Sequence, residues 1–431
     1  MRPFFLLLLA AIVPGAGHAV IGASRSALVL ISPFALLFGI FMGAALGMGP
    51  AGIAGWLLSS TGLTALALLN LLFALLRARA LFDMVRRARS AGLRAIGGTL
   101  IVLTVVFPHL YVGQTIAAVA GSMDRAFETP PLEAGETAPS GPVVLPWVVP
   151  AVTSPAGDDG RLDILLIGSD AGPGRWGRRT DVMMLASIDV ATGVASLTSL
   201  PRNWRYIPLP EPAASFYKDG IFPGILNEMY TRGGEDEKRW PGDTYFLRGV
   251  GAVRSTIAHL IDRPIDGVVL VDLGGFIRII DALGGVTIDV ERTINDPDYS
   301  DGQGGFGKRL VIKKGIQKMD GALAIAYVRS RHDSSDYDRM ARQQRFLAAV
   351  AKALGPSAIL NAPTLAAAAE GMVWTDLPRE SLPALADLMA KMLATDDLRT
   401  LRFVPPTYPQ YLTAASIAKI RAAVAGSIDP K

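Results

Sequence analysis

DGVVLVDLGGFIRIIDALGGVTIDV, residues 266–290, decides how the second half of the chain is read. A β-branched apolar run opens it, helical apolar spacing follows, and alternating residues close it. Gly284 and Gly285 end the helix, so the segment reads strand, helix, strand.

The same alternation extends to both sides. LDILLIG (162–168), TDVMMLASIDV (180–190) and VASLTSLP (194–201) read as strands, the last two joined into a hairpin by Thr192-Gly193. Residues 243–261 have helical apolar spacing, and Tyr337–Leu354 reads as an amphipathic helix. The tail adds a helix near 380–393, a strand at 398–405 and a helix after Ala414. The expected fold class is α/β, a mixed β-sheet flanked by helices as an α-β-α sandwich.

Ahead of this lies a different composition. Residues 1–130 hold nine arginines, no lysine and three acids, whereas the rest of the chain holds 33 basic against 35 acidic residues. The basic character thus belongs to the apolar first part and gives no support to a nucleic-acid partner. Runs at 27–48, 53–76 and 95–120 are long enough to cross a bilayer. A fourth, 3–21, is interrupted by PGAGH (14–18), and a spanning helix, a re-entrant turn and a surface segment all fit it. Arg77–Arg94 carries six arginines against one aspartate, which places that loop in the cytoplasm and everything after about Gly121 outside.

The expected domains are a membrane region of three or four transmembrane helices (1–122), a Pro-rich tether (123–160) and an extracytoplasmic domain (161–431). VVLPWVVP in the tether has two readings, contact with lipid or contact with the domain. The absence of cysteine excludes disulfides, thiol catalysis and Cys-ligated metals. His18, His109, His259 and His332 are scattered without metal-binding spacing.

Three segments concentrate polar chemistry. YVRSRHDSSDYDRMARQQR (327–345) holds Arg329, Arg331, Arg339, Arg342 and Arg345. If extended, Arg329 and Arg331 share a face, while Arg339 and Arg342 share a helix face with Gln343 beside them. One reading is a solvated helix neutralised by Asp333, Asp336 and Asp338; the other is a guanidinium cluster around a phosphate. GSDAGPGRWGRRTD (168–181) places Asp170 and Asp181 at the two ends of a loop with Arg178 and Arg179, a set suited to a metal–phosphate site. SLPRNW (199–204) places Arg202 directly after a strand.

In this order, DILLIGSD, RRTD, SLPRNW, LNEMYTRGG, residues 266–290, KMDGALAIAYVRSRH and DRMARQQR resemble the LytR–CpsA–Psr family of cell-wall glycopolymer ligases. The resemblance covers about Leu162 to Leu354. It implies a membrane-anchored, Mg²⁺-dependent phosphotransferase that moves a glycopolymer from a polyprenyl-diphosphate carrier to a peptidoglycan sugar hydroxyl. It also implies that Asp170 and Asp181 ligate Mg²⁺ and that Arg179, Arg202, Arg329, Arg331, Arg339 and Gln343 surround the diphosphate, with Arg178 and Arg342 nearby. Partners so implied are the carrier-linked glycopolymer, peptidoglycan and membrane lipid, in the plasma membrane. The family's Pro-Arg-Asp stands here as Pro201-Arg202-Asn203. Two other activities fit the same residues: hydrolysis of the polyprenyl diphosphate, and a catalytically weakened, regulatory polyprenyl-phosphate binder.

Overall fold

A computed structural model describes residues 2–87, 90–127, 145, 147, 159–170, 179–300, 308–354, 362–395 and 397–428. The chain divides into two compact units, Met1–Gly121 and Ser122–Lys431.

The first unit is helical. Arg2–Ile12 and the short Ala16–Val20 are separated at Gly15, whose φ of 88° is left-handed. Ser24–Leu58 follows, broken at Gly49, where φ 69° and ψ 169° are not helical and Pro50 comes next. Ser60–Arg86 begins at Ser59, whose side chain accepts from the Gly62 N–H. The helical run Ala91–Phe127 contains a π-helical stretch, Val102–Val106, just before Pro108.

Among the described residues, two helices are long and apolar enough to cross a membrane, Ser60–Arg86 and Ala91–Phe127. The expected 27–48 run lies within the helix Ser24–Leu58, ahead of its break at Gly49. The expected 53–76 span straddles the break at Ser59, because continuous hydropathy does not register one capping serine. Arg77, Arg79 and Arg86 accordingly lie on a helix rather than in a loop.

The second unit contains twelve strands among its described residues. β1 (Arg161–Ser169), β2 (Thr180–Asp189) and β3 (Ala195–Ser199) form an antiparallel meander. β4 (Arg205–Pro208) and β5 (Ile221–Ile225) form a separate ribbon. β6 (Gly267–Asp272) runs parallel to β1. β7 (Val286–Val290), β8 (Ile294–Tyr299), β9 (Lys308–Ile312) and β10 (Gly315–Met319) make two more ribbons, β7 with β10 and β8 with β9. β11 (Val373–Thr375) and β12 (Leu398–Arg402) complete the main sheet, in the order β11-β6-β1-β2-β3-β12.

Alternation along β1 explains the layering. Leu165 and Ile167 face a core built with the helix Tyr245–Ile261 and the C-terminal helix Ala414–Ile428. Leu162 faces the other way, toward Leu388 on the helix Leu382–Thr395. Helices on both faces of a mixed sheet make the α-β-α sandwich. The β2–β3 hairpin turns at Gly193 (φ 80°), where a Cβ would lie 2.7 Å from the Lys391 carbonyl carbon.

The segment 266–290 does form strand, helix (Leu273–Ala282) and strand, but its second strand leaves the main sheet. Two successive left-handed glycines, Gly284 (φ 75°) and Gly285 (φ 90°), redirect the chain so that β7 pairs with β10. That ribbon packs with Gly321–Arg329 and Asp336–Ala353 around Tyr327 and Phe346. Gln344, on the last of these helices, donates its Nε2 to the Leu197 carbonyl of β3 at 3.0 Å and the Leu401 carbonyl of β12 at 2.9 Å.

Most of the expected tether lies outside the described residues. Trp147 packs on the main core and donates its Nε1 to Asp376 Oδ2 at 2.8 Å, with Arg254 over its ring. Of the two readings of VVLPWVVP, contact with the domain holds for this residue.

Candidate active site

The site gathers where β1 and β2 end and the turn after β3 begins. Past a register shift at Gly168/Ser169, the Asp170 N–H donates to the Arg179 carbonyl at 3.1 Å. The Arg179 N–H returns a bond to Asp170 Oδ1 at 3.0 Å, and the Asp181 N–H also reaches the Arg179 carbonyl. Asp170 and Asp181 are thereby fixed on neighbouring strand ends. Arg178 lies outside the described residues.

Arg202 leaves β3 by the turn at Pro201 and connects three elements. Its Nη1 meets Asp181 Oδ1 at 2.5 Å, and its Nη2 lies 3.3 Å from Asp336 Oδ1. Asp336 opens the helix Asp336–Ala353, one turn before Arg339, whose Nη2 it accepts at 2.8 Å. A capping box between Ser335 and Asp338 fixes that helix start. Asn227 supports the group from behind: its N–H donates to the Arg202 carbonyl at 3.0 Å and its Nδ2 to Asp181 Oδ1 at 3.4 Å.

Burial sets the electrostatics. Alone it would raise the Asp181 carboxyl, but Arg202, Arg339 and Asn227 more than reverse this and hold it below the ordinary carboxylate value. Burial would likewise lower Arg202, yet Asp181, Asp336 and Asp170 raise it above the usual guanidinium. Arg339, 5% exposed, is pushed down to about 10 by burial, with Arg202 and Arg331 adding repulsion against the help of Asp336 and Asp181. Asp336 Oδ2, Arg339 Nε and Asn203 Oδ1 are buried without a hydrogen-bond partner among the described residues. Buried polar atoms without a partner are exceptional in folded proteins.

The remaining arginines divide. Arg331 acts on Arg339 through space, and Arg329 is half-buried. They do not share an extended face, because Gly321–Arg329 is a helix capped by Asp320 and the chain straightens only at Ser330. Arg179 is exposed. Gln343 sits one turn beyond Arg339, its Nε2 donating to the Val328 carbonyl at 3.3 Å. Arg342 departs from expectation: its Nε donates to the Tyr327 carbonyl at 2.9 Å, its Nη1 to Ser334 Oγ at 3.3 Å and its Nη2 to the Ser330 carbonyl. With those donors engaged and the side chain buried, it braces the 327–334 backbone. Arg345 pairs with Glu291.

Asp296, on β8, was not read from the sequence as part of this site. Fully buried, it accepts from Ser330 Oγ (2.9 Å), the Arg331 N–H (3.0 Å), the His332 N–H (3.3 Å) and His332 Nδ1 (2.9 Å). Burial opposes its ionisation, but the Arg331 N–H, Ser330 and the other donors bring it down to about 2. Asp296 thus holds the loop that presents Arg331. Asp333 adds a second tie through the Asn295 N–H at 2.8 Å.

No group of three or more His, Cys, Asp or Glu able to hold a metal is found among the described residues. Asp170 and Asp181 alone suit a hard cation such as Mg²⁺, which takes one or two carboxylates and completes its shell with water and phosphate oxygens.

Two guanidiniums, Arg202 and Arg339, thus share carboxylates at the strand ends of an α/β sandwich. The LytR_cpsA_psr family signature matches residues 145–407, and the chain belongs to that family. It is 27% identical over 174 residues to the Bacillus subtilis protein named polyisoprenyl-teichoic acid–peptidoglycan teichoic acid transferase TagV, covering 40% of this chain and 38% of TagV. The Corynebacterium glutamicum probable cell wall biosynthesis protein LcpB is 26% identical over 274 residues, 63% of this chain and 53% of LcpB. The chain thus spans about two-fifths to half the length of these relatives. The crystal structure of B. subtilis TagV superposes with a TM-score of 0.46 at 22% identity, over 64% of this chain and 100% of that one.

Proposed function

We propose that the protein is a phosphotransferase moving a glycopolymer from a polyprenyl-diphosphate carrier to a peptidoglycan sugar hydroxyl. The observation that carries this reading is the continuous chain Asp181–Arg202–Asp336–Arg339, in which the Arg339 guanidinium is buried. Such a cation gains most when a dianion settles against it. Two relatives named as teichoic acid transferases agree with this chemistry.

In this mechanism Arg202 and Arg339 hold the diphosphate, with Arg331, Arg329 and Arg179 around it and Gln343 beside it. The acceptor hydroxyl oxygen attacks the sugar-proximal phosphorus, the bond from that phosphorus to the bridging oxygen breaks, and polyprenyl phosphate departs with the bridging oxygen and takes up the hydroxyl proton. Negative charge spreads over the diphosphate oxygens in the transition state, where preorganised guanidiniums stabilise it without reorganising. Asp170 and Asp181 would hold Mg²⁺, which supplies further charge neutralisation when bound. Arg202 keeps Asp181 ionised, which suits a cation ligand better than a proton acceptor.

The protein is further proposed to be anchored through Ser60–Arg86 and Ala91–Phe127. The arginine-rich connection between them faces the cytoplasm, and the chain beyond faces outside. Anchoring keeps the site at high effective concentration relative to a lipid-borne donor. Full-length protein incubated with labelled carrier-linked sugar, with and without peptidoglycan, tests the reading. Label should move to the peptidoglycan, and release into water at the same rate without acceptor would overturn transfer in favour of hydrolysis.

A further inference from the structure

Tyr206 and Tyr411 are large aromatic residues left in the open, 47% and 55% exposed. Their ring centroids lie 5.8 Å apart at 39°. Tyr206 has φ 58°, a left-handed conformation uncommon for a bulky side chain. The β4–β5 ladder is irregular at this residue: Arg205 pairs with Ile225, whereas Ile207 pairs with Phe222. Such irregularities re-aim side chains and recur beside active sites.

The base beneath the pair is rigid. Arg205 donates its N–H to the Gln410 carbonyl at 2.9 Å, and the Leu412 N–H returns to the Arg205 carbonyl at 2.9 Å. Trp204, buried, meets Phe403 at 5.1 Å, and Phe403 meets Tyr408 at 4.9 Å. The ribbon is also tied to the diphosphate-binding group, since the Leu226 N–H donates to the Trp204 carbonyl and the Asn227 N–H to the Arg202 carbonyl. Tyr206 follows Arg202 by four residues, so their Cα atoms are at most about 14 Å apart. The sugar adjoining a bound diphosphate can cover that reach.

We propose that Tyr206 and Tyr411 form a sugar-binding platform, on which the apolar face of a pyranose ring stacks while the phenol hydroxyls bond its rim. This deepens the function proposed above and rests on it for the choice of a glycan. The ring belongs either to the carrier-linked donor or to the acceptor glycan, and the two are separable.

The test uses full-length protein in detergent with three probes: polyprenyl diphosphate, the same carrier bearing N-acetylglucosamine, and chitotetraose. Tyr206→Ala and Tyr411→Ala should weaken one sugar probe by about 3- to 10-fold and leave bare polyprenyl diphosphate unchanged. Tyr206→Phe and Tyr411→Phe should retain most of the affinity, which also controls for folding. Loss on the carrier-linked sugar assigns the platform to the donor, and loss on chitotetraose assigns it to the acceptor. Unchanged affinity for both sugar probes in the alanine variants overturns the platform, as does a wild type that gains nothing from either sugar. A wild type that fails to bind bare polyprenyl diphosphate sinks the diphosphate site instead, while chitotetraose still reads the tyrosines.

Discussion

Asp296→Asn separates a held loop from one that merely rests in place. The carboxylate accepts four hydrogen bonds from Ser330, Arg331 and His332 and is fully buried. A fall from 3.8 to about 2 corresponds to about 2–3 kcal/mol of stability. Because the folded value is depressed, that contribution is complete above the unfolded value and disappears as pH falls through about 2. Asparagine also presents an NH₂ group to N–H donors, so about 2–4 kcal/mol should be lost at pH 6.

Urea unfolding of full-length protein in micelles, followed by tryptophan fluorescence, measures the loss. The gap between wild type and variant should shrink steadily from pH 5 toward pH 2. Hydrogen exchange at Arg331 and His332 should accelerate by about 30- to 1,000-fold, since opening costs that much less. Equal stabilities at pH 6, together with an unchanged gap down to pH 2, would refute the idea that this carboxylate secures the loop.

Arg339→Lys should lower transfer by about 10²-fold or more in the labelled-carrier assay, because an ammonium cannot reproduce the planar fork; a rate within threefold of wild type would remove the guanidinium from the diphosphate. EDTA should abolish transfer and added Mg²⁺ restore it in wild type, with restoration needing more Mg²⁺ in Asp170→Asn. Ser335→Ala removes the N-cap of the site helix and should cost about 1 kcal/mol in urea unfolding. Gly193→Ala forces a left-handed residue against the Lys391 carbonyl carbon and should lower stability by about 1–3 kcal/mol, seen as a lower Tm.

Local pattern carried much of the fold. β1, the β2–β3 hairpin and the helix Tyr245–Ile261 follow from alternation, Thr192-Gly193 and helical spacing, all expressed within a few residues. The destination of β7 did not, because a strand reads the same whether it joins the main sheet or pairs with β10. In the membrane unit, the break at Gly49 falls between the runs 27–48 and 53–76, whereas uninterrupted hydropathy concealed the one at Ser59.

The site shows the same division. Asp181, Arg202 and Arg339 stood out as charge beside strand ends and on a helix face, and the fold joins them through Asp336. Asp336 itself read only as a neutralising charge, since its partner Arg202 is remote in sequence. Arg342 carried the same cationic signal as Arg339, and only packing directs it to carbonyls. Asp296, in the polar run INDPDY, had no local signal at all, because its partners come from another segment.

Gln344 has a mechanical consequence. By bonding β3 and β12 at once, its amide pins the site helix to both strands, so the helix can neither slide along the sheet nor roll over it without breaking two bonds. Adjustment to an arriving donor must therefore fall to the connecting turns, while Arg339 keeps a fixed bearing. Inserting one residue between 339 and 344 would swing that bearing by about 100°, so the spacing of those two residues works as a gauge length.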